Sequence, residues 1–370
     1  MFSMKIAYIV EPRKVIGGGV RAALNLAKSM KEYYGEESVI FGVHRDGVKD
    51  VETPVYEVDT LEPISFGFYK EYKKFINNFK PDIVHCLGLF SALMCIIHRK
   101  WNKEDYKIVC TVHRVTMNLR FSALTKFVID FISRNMDYVT FLTPYQQKHY
   151  FKNVGFKPKH FTIVPNVIFV QNYSDDAKRE LKNIFKDELK CDFVTTYVGR
   201  IIPSKNIEDT IRVVSRVNKQ GINLGCVLVG GYDDEYKAFL DKVISEENIA
   251  EKIKFVGYVN NPTLYIGAAD FTTTTTTHGE ALPNLMVESF ALGKVVFSSD
   301  IPQMCCLISD GKNGFTISLE NLDVWAERIV KFLKDNAIRA DMEREAAKTY
   351  ATTYEPHSVA KIYHDVYLKI

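Results

Sequence analysis

A strand, a loop, a helix and a second strand follow one another in the stretch FTTTTTTHGEALPNLMVESFALGKVVFS, residues 271–298. The run Phe271–Thr276 is rich in β-branched residues, as strands are, and Val295–Ser298 is a second short apolar run. Pro283 suits the first turn of the helix between them, and Gly293 suits its end. Two strands joined through a helix pair in parallel. The stretch therefore predicts an α/β fold.

The same alternation of short β-rich runs and helical patterns extends along all 370 residues and predicts parallel sheets throughout. The predicted strands of the first half are Lys5–Val10, Ser38–Val43, Ile83–Cys86, Ile108–Val112, Tyr138–Leu142 and Phe161–Val164. Those of the second half are Phe193–Val198, Asn223–Val229, Ile253–Val256, Phe271–Thr276, Val295–Ser298 and Gly314–Ile317. The predicted helices include Val20–Tyr33, Phe121–Arg134, Ile207–Asn218, Tyr236–Glu246 and Asn284–Leu292.

The length favours two domains, because a domain has about 150 residues. The polar, helix-poor stretch Asn166–Ala177 marks the boundary. We expect one Rossmann-like domain over residues 1–168 and a second over residues 169–355. A C-terminal helix at residues 356–370 is expected to pack back on the first domain.

The composition excludes several classes of protein. Apolar residues make up 46% and charged residues 25% of the chain, which is ordinary for a soluble globular protein and excludes collagen and wholly disordered chains. Seven cysteines without a C-x-x-C pair favour reduced thiols in a cytoplasmic protein over a disulfide framework or a zinc site. We expect neither a signal peptide nor a membrane span, because no apolar run approaches about 20 residues. The simplest P-loop, zincin and hydrolase motifs are absent.

Two glutamates flank the start of the helix in the opening stretch. Glu280 precedes the helix and Glu288 lies inside it, so a rise of about 1.5 Å per residue would separate them by roughly 12 Å along one side. The unpaired N–H groups of a helix that follows a strand attract phosphate. The arrangement suits a nucleotide sugar, although one exposed and one capping glutamate on an ordinary helix have the same spacing. The phosphate-binding amides would be those of Asn284, Leu285 and Met286.

A second candidate segment, VGRIIPSKN at residues 198–206, follows a predicted strand and precedes a predicted helix. Gly199 permits a turn, and Arg200 and Lys205 stand at the carboxyl end of the strand, where open α/β sheets bind ligands. Two cations there can hold a diphosphate and stabilise it as a leaving group. The alternative is a solvated Arg and Lys in a loop.

Glycines and a histidine mark two further candidate segments. The spacing Gly17-x-Gly19-x-x-Ala22 matches a loose dinucleotide fingerprint, but six residues separate it from the first strand, too many for the tight Rossmann turn. We expect a flexible loop that approaches a ligand bound elsewhere. His113 stands just past a strand, where it can hydrogen-bond a ligand or transfer a proton, although a lone histidine is more often structural.

In this order, the four segments resemble those of the retaining glycosyltransferases of family four, and the resemblance covers essentially the whole chain. Glu280 and Glu288 match the Glu-x7-Glu motif of that family, and Arg200 and Lys205 match its G-R-x-x-x-x-K segment. The other matches are Gly18 and Gly19 in the glycine-rich loop, His113 after the fourth strand, Pro81–His85, Val164–Asn166, Phe255–Val259 and Asp310–Gly314.

The resemblance implies a fold and a reaction. It implies the GT-B fold, in which two Rossmann-like domains face each other across a cleft, the C-terminal one holding the donor and the N-terminal one the acceptor. It implies transfer of a sugar, with retention, from a UDP- or GDP-linked donor to a glycan or lipid-linked acceptor in cell-surface polysaccharide or glycolipid synthesis. No obligatory metal or other cofactor is expected, since no Asp-x-Asp is evident.

The resemblance also implies roles for the matched residues. Arg200, Lys205 and the helix amides would stabilise the leaving diphosphate, and Glu288 would bind ribose hydroxyls. Glu280 would position the donor sugar or phosphate, and His113 would contact the sugar or guide the acceptor. The remaining donor-binding positions implied by the family are Gly18, Gly19, Gly199, Tyr258 and Val259.

Three departures from the family pattern leave the donor sugar open. The chain has Ala281-Leu282 where the family usually has Gly-Phe, Cys306 where a glutamate is common, and Val167 where a glycine is usual. Other readings stay open too: a nucleotide-sugar epimerase or a glycogen-type phosphorylase on the same fold, an NAD-dependent dehydrogenase, or a regulatory protein without activity.

The net charge of +3 does not by itself indicate nucleic-acid binding, and it is unevenly spread. Residues 1–170 carry 24 basic and 16 acidic side chains, a net of +8, and the rest of the chain has a net of −5. Within residues 101–160, at +6, the predicted helix Phe121–Arg134 has apolar residues at helical spacing. We hypothesise that this region binds an anionic membrane or a phosphate-bearing acceptor, as a peripheral protein on the cytoplasmic side; the alternative is a core-facing helix with a basic edge.

Overall fold

The structure is a computed structural model that describes residues 3–12, 18–44, 53–59, 62, 65–113, 123–277 and 279–370. Gly17 and Phe121, to which the sequence predictions refer, lie outside these residues. The chain divides into two compact units, the first formed by residues 1–169 and 354–370 and the second by residues 170–353.

Unit 1 is built on a parallel sheet, which has seven strands in the part of the chain that the structure describes. The strands are β1 (Lys5–Ile9), β2 (Glu37–His44), β3 (Val55–Val58), β4 (Ile83–Cys86), β5 (Lys107–Val112), β6 (Tyr138–Phe141) and β7 (Phe161–Ile163). The helices are α1 (Gly18–Tyr34), α2 (Phe66–Phe79), α3 (Leu89–Asn102), α4 (Ala123–Asn135) and α5 (Pro144–His149), the last continued by a π-helical turn at Tyr150–Val154. The strand order is β3-β2-β1-β4-β5-β6-β7.

Unit 2 repeats this architecture with six parallel strands among its described residues. The strands are β8 (Phe193–Val198), β9 (Leu224–Val229), β10 (Ile253–Gly257), β11 (Phe271–Thr274), β12 (Val296–Ser299) and β13 (Gly314–Ile317), in the order β10-β9-β8-β11-β12-β13. The helices are α6 (Asp175–Glu188), α7 (Ile207–Lys219), α8 (Asp234–Glu247), α9 (Pro262–Ala268), α10 (Asn284–Ala291), α11 (Pro302–Cys305), α12 (Leu322–Lys334) and α13 (Asn336–Thr353).

The last helix, α14 (Pro356–Lys369), belongs to unit 1. Successive residues of β1 face opposite sides of the sheet, so Ile6 and Tyr8 lie in one core and Ala7 and Ile9 in the other. The first core is covered by α1 and α14, and the second by α2, α3 and α4. Burial on both sides explains why β4 and β6 are uninterrupted buried runs, as in other parallel sheets.

The predicted α/β class with two parallel-sheet units is confirmed. The sequence missed β3, an edge strand of four residues, and the helices α2, α3 and α6. The prediction that residues 166–177 are helix-poor is wrong at its end, because α6 begins at Asp175, where the Ser174 hydroxyl accepts a hydrogen bond from the Ala177 N–H. A serine followed by two aspartates is a helix-start signal that was present in the sequence.

Candidate functional site

The candidate site in unit 2 lies where the strand order of its sheet reverses. From β8 the chain proceeds outward to β9 and β10, and it then returns to β11 on the other side of β8. The loops that leave the carboxyl ends of β8 and β11 therefore diverge, and open α/β sheets bind ligands in the crevice formed at such a switch point. The segment 199–206 follows β8 and the segment 275–283 follows β11, so the two strongest sequence candidates flank this crevice.

Glycines bring the ends of β8, β9 and β10 together. The Gly199 N–H donates to the Val229 carbonyl at 2.9 Å, and the Gly230 N–H donates to the Gly257 carbonyl at 2.8 Å. A Cβ atom on Gly230 would lie 1.8 Å from the Gly199 carbonyl oxygen, so no other residue fits there without a shift of the backbone. This contact fixes the start of the loop that carries Arg200, whose side chain is exposed.

The threonine run attaches one loop to the other. The strand β11 ends at Thr274, not at Thr276 as predicted. Beyond it, the Thr275 hydroxyl donates to the Asn206 carbonyl at 2.6 Å and the Thr276 hydroxyl donates to the Ser204 carbonyl at 3.2 Å. The Asn206 side chain donates back to the Thr275 carbonyl at 3.2 Å. The last threonines therefore hold the loop of Lys205, a role for which a run of threonines gives no sequence signal.

The two loops carry an ion pair, in which the Lys205 ammonium donates to a Glu280 carboxylate oxygen. Lys205 is buried, with 8% of its surface exposed, whereas Glu280 is half-buried. Burial, and after it the positive charge of Arg200, lower the pKa of Lys205 to about 8. The Glu280 carboxylate acts in the opposite direction, since a nearby negative charge favours the protonated amine. A buried cation with one carboxylate partner among the described residues has donor capacity left for an anionic ligand.

Helix α10 differs from its prediction at the N-terminal end. Pro283 is the residue before the helix rather than part of its first turn, and no side chain among the described residues caps the helix there. Because Glu280 precedes the helix by four residues, the separation calculated along a continuous helix does not apply to the two glutamates. Glu288 is buried inside the helix. The first helical positions are Asn284, Leu285 and Met286, whose N–H groups have no intrahelical acceptor.

The two residues expected near a nucleotide base follow β10. Tyr258 is 73% exposed. Val259 is half-buried and packs against a small core formed by Phe185, Leu189, Cys191, Val194, Val227 and Val229. Tyr258 therefore has a free aromatic face while Val259 anchors the backbone beside it.

The remaining predicted residues lie in unit 1. Gly18 and Gly19 form the first turn of α1 rather than a loop, and a Cβ atom on either would meet nothing within 4 Å. His113 follows β5 and is half-buried. Burial lowers the pKa of His113 to about 4, and its Nε2 atom is buried without a hydrogen-bond partner in the described part of the chain. The imidazole is therefore neutral near pH 7.

Two further properties bear on cofactors and membranes. Among the described residues, no group of three or more His, Cys, Asp or Glu side chains is arranged to hold a metal ion. None of the helices in the described ranges combines the length and the apolarity that crossing a membrane requires. None of the seven cysteines, all of which lie among the described residues, forms a disulfide, and Cys305 and Cys306 are exposed.

Two parallel-sheet α/β units, one of them with a candidate site at the switch point of its sheet, define a class of two-domain α/β proteins, and two family models match them. The model "Glycosyltransferase Family 4" matches residues 16–171, and the model "Glycosyl transferases group 1" matches residues 176–349. The chain is a glycosyltransferase with the GT-B fold. The epimerase alternative finds no support.

Curated relatives are distant. An N-acetylgalactosamine-N,N'-diacetylbacillosaminyl-diphospho-undecaprenol 4-alpha-N-acetylgalactosaminyltransferase from Campylobacter jejuni is 24% identical over 296 residues, which are 79% of this chain and 77% of that protein. The capsular polysaccharide biosynthesis glycosyltransferase CapM of Staphylococcus aureus is 24% identical over 183 residues, 47% of this chain and 45% of CapM. The chain thus spans most of the first relative and about half of the second.

Solved structures share the fold over nearly the whole chain. HepE of Anabaena in complex with UDP has a TM-score of 0.85 at 18% identity and covers 99% of this chain and 100% of its own. WaaG, a glycosyltransferase involved in lipopolysaccharide biosynthesis, has a TM-score of 0.73 at 15% identity and covers 98% of this chain and 99% of its own.

Proposed function

We propose that this glycosyltransferase transfers a sugar from a nucleoside-diphosphate sugar to a glycan or lipid-linked acceptor, with retention at the anomeric carbon. The observation that carries the proposal is the contact between Lys205 and Glu280 at the switch point of the unit 2 sheet. A buried cation beside a carboxylate provides one group for phosphate and one for hydroxyls within a few ångströms. A nucleotide sugar presents both kinds of group.

The diphosphate is proposed to bind Lys205, the exposed Arg200 and the N–H groups at the start of α10. These groups carry positive charge or positive dipole ends, and they stabilise the negative charge that develops on the leaving diphosphate. Gly199 allows the backbone to turn at the end of β8 and so places Arg200. The complexes of HepE with UDP and with UDP-glucose support a UDP-linked donor ahead of a GDP-linked one.

The other donor contacts are proposed from position and burial. Glu288, buried in α10, accepts hydrogen bonds from ribose hydroxyls, and Glu280 orients the donor sugar. Tyr258 and Val259 contact the nucleotide base with their backbone and with the exposed Tyr258 ring. The neutral imidazole of His113 contacts the sugar or the acceptor hydroxyl. Among the described residues a Cβ atom built on Gly18 or Gly19 would meet nothing within 4 Å, so the ligand approaches the backbone of α1 there.

The ion pair also favours retention over inversion. An inverting transferase needs a general base, such as a carboxylate or an imidazole, that accepts the acceptor proton. The Glu280 carboxylate is paired with the Lys205 ammonium and is therefore less available to accept that proton. Anomeric coupling constants in the product, measured by NMR from a donor of known configuration, test this point. A product of opposite configuration would contradict retention.

The donor is identified by a thermal-shift screen over UDP-, GDP-, ADP- and TDP-linked sugars. We expect a UDP sugar to raise Tm, because a ligand that binds only the folded state stabilises it. The Lys205→Ala variant is expected to show no such shift. A shift with GDP sugars alone would overturn the assignment of the base, and the absence of any shift would overturn the proposed function.

A membrane-facing surface is proposed on unit 1. Phe90, Met94, Ile97 and Trp101 follow one side of α3 at helical spacing, and Phe90 and Trp101 are exposed. On the neighbouring helix α4, Leu124 is 72% and Phe127 is 68% exposed. We call these exposed residues of α3 and α4 the α3–α4 face. Large apolar side chains that water would otherwise surround favour insertion at a lipid surface.

Basic side chains border the α3–α4 face and complement an anionic membrane. Lys100, Lys103 and Lys126 are exposed on the same two helices or at their ends. Each contributes about 1 kcal/mol of attraction near anionic lipid. The prediction that residues 101–160 bind a membrane therefore stays a proposal, now extended to α3. A peripheral location of this kind fits an acceptor with a lipid anchor.

Co-sedimentation with vesicles tests the surface. We expect binding to vesicles of 30% phosphatidylglycerol in phosphatidylcholine, weaker binding to pure phosphatidylcholine, and loss of binding in the Leu124→Ser/Phe127→Ser variant. Leu368→Ser is the matched control, because Leu368 is 65% exposed on α14, which covers the opposite side of the same sheet. Equal binding by the double variant and the control would contradict the proposal.

A further inference from the structure

A chain of buried polar side chains runs beneath the C-terminal helix. The Tyr367 hydroxyl and the His85 Nδ1 atom are hydrogen-bonded at 2.6 Å, and the His85 Nε2 atom and the Thr111 hydroxyl at 2.7 Å. The Thr111 and Thr140 hydroxyls are bonded at 2.6 Å. At least 97% of the surface of each of these side chains is buried. A fully paired polar chain in a core specifies one arrangement of the residues it joins.

His85 is the centre of this chain and has a fixed orientation. Burial, and after it the charge of His113, lower the pKa of His85 to about 3, so the ring is neutral near pH 7. A neutral imidazole donates from one nitrogen and accepts at the other. Tyr367 and Thr111 occupy both nitrogens and so fix the plane of the ring.

This series of hydrogen bonds passes through the strand that leads to His113. Thr111 and Val112 are the last residues of β5, and His113 follows them directly. The Val112 carbonyl, which belongs to the peptide bond with His113, accepts a hydrogen bond from the Gln146 side chain at 2.8 Å. The end of β5 is therefore held at its Thr111 side chain and at its last peptide, while the Nε2 atom of His113 is buried without a protein partner in the described ranges.

We propose that Tyr367 is a positioning residue for the transfer reaction. Through His85 and Thr111 it fixes the end of β5, from which His113 presents its imidazole to the substrate. The inference rests on the proposed function, in which His113 contacts the sugar or the acceptor. It gives the C-terminal helix a task beyond covering the core, since α14 supplies the hydroxyl that orders a segment more than 250 residues earlier in the chain.

The variant Tyr367→Phe removes only the hydroxyl. We expect kcat to fall about tenfold, because a small displacement of a substrate-contacting group slows the chemical step strongly. The affinity for UDP, measured by calorimetry, is expected to stay within about twofold, because the proposed contacts of Arg200, Lys205 and Glu288 with the nucleotide lie in unit 2. Thr111→Val breaks the same hydrogen-bonded series on the other side of His85 and is expected to have the same effect, which keeps the test decisive if Tyr367→Phe folds poorly.

Tyr106→Phe is the matched control. The Tyr106 hydroxyl is also buried in unit 1 and donates to the Cys95 carbonyl at 3.0 Å, but Tyr106 lies at the opposite end of β5. We expect a similar loss of Tm and unchanged kcat. An unchanged kcat in Tyr367→Phe, or equal losses of kcat in Tyr367→Phe and Tyr106→Phe, would overturn the proposal.

Imidazole NMR separates this inference from the proposed function. In 15N–1H long-range correlation spectra, assigned with His85→Gln and His113→Gln, we expect Tyr367→Phe to change the tautomer signals of His85 and to shift those of His113. Tyr106→Phe is expected to leave both unchanged. If the unaltered protein transfers no sugar, the proposed function is wrong. The spectra still test the positioning role of Tyr367, because unchanged His113 signals in Tyr367→Phe would refute it.

Discussion

Lys205 and His113 both follow a parallel strand at its carboxyl end, one in each unit, yet the two side chains are held in opposite ways. Lys205 is a buried charge with a carboxylate partner, in a loop secured by threonine hydroxyls from the next strand. His113 is neutral, and the strand before it is held by an uncharged chain of Tyr, His and Thr side chains. A site for phosphate needs charge that is fixed before the ligand arrives. A site for sugar hydroxyls needs neutral donors and acceptors with a defined direction.

The largest expected effect is the loss of donor turnover when the charge of Lys205 is removed. Lys205→Ala removes the buried ammonium and leaves the Glu280 carboxylate without its partner, so we expect donor turnover to fall about 100- to 1000-fold. Steady-state kinetics with the donor from the thermal-shift screen measure it. Lys219→Ala is the control, since Lys219 forms an exposed ion pair with Glu247 in the same unit. Unchanged turnover in Lys205→Ala would remove the diphosphate assignment.

The next effect concerns the backbone that places the charged loop. Gly230→Ala puts a Cβ atom where the Gly199 carbonyl oxygen stands, at a positive φ of 146°. We expect the free energy of unfolding to fall by about 3 kcal/mol and UDP affinity to fall with it. Urea unfolding and calorimetry measure the two quantities. Gly231→Ala is the control, because a Cβ atom there meets nothing within 4 Å; equal losses in both variants would show that the contact with Gly199 is unimportant.

A third prediction concerns the fall of nucleotide affinity at alkaline pH. Lys205 binds an anion only while protonated, and its pKa is lowered to about 8. Nucleotide affinity is therefore expected to be nearly full below about pH 7, about half of that at pH 8, and about fivefold lower at pH 9 than at pH 8. Calorimetry with UDP measures this fall, which should vanish in Lys205→Ala. Affinity that is flat up to pH 10 would contradict the role of Lys205.

The smallest expected effect is a loss of stability of unit 1 at acid pH. Burial lowers the pKa of His85 to about 3, below the value of 6.5 of an unhindered histidine, so the unfolded chain binds a proton that the folded chain excludes. Stability from this group is therefore present above pH 6.5 and decreases by about 1 kcal/mol per pH unit as the pH falls toward 3. Hydrogen–deuterium exchange of β5 at pH 5 and pH 7, compared with β8 after correction for intrinsic rates, measures it. Equal loss of protection in both strands would contradict the assignment.

Much of the fold could be predicted because buried parallel strands are uninterrupted apolar runs between loops. Ile83–Cys86, Phe193–Val198 and Gly314–Ile317 were predicted with the bounds that the structure has. The helix α3 escaped prediction because its apolar residues lie on both sides, toward the core and on the α3–α4 face, which blurs the helical period. The strand β3 was not predicted because four residues at a sheet edge, one of which is buried, carry too short a pattern.

The candidate site, like the fold, could be predicted only in part from the sequence. Arg200, Lys205, Glu280 and Glu288 could be named from the sequence, since their types and spacings around strand ends suit a diphosphate and hydroxyls. The support around them could not. Neither the threonines that hold the Lys205 loop nor the link from Tyr367 to His85 has a local pattern, because each joins residues far apart in the chain.

The sequence by itself determined an α/β chain of two parallel-sheet units, because strand and helix periods are local properties of neighbouring residues. It also determined which charged side chains follow which strands. Only the tertiary structure decided that Lys205 meets Glu280, since that contact depends on β11 lying beside β8. The link from α14 to the end of β5 is likewise a tertiary feature, because the fold places the last helix in unit 1. The Tyr367 hydroxyl is buried there and is hydrogen-bonded to His85, a side chain of that core.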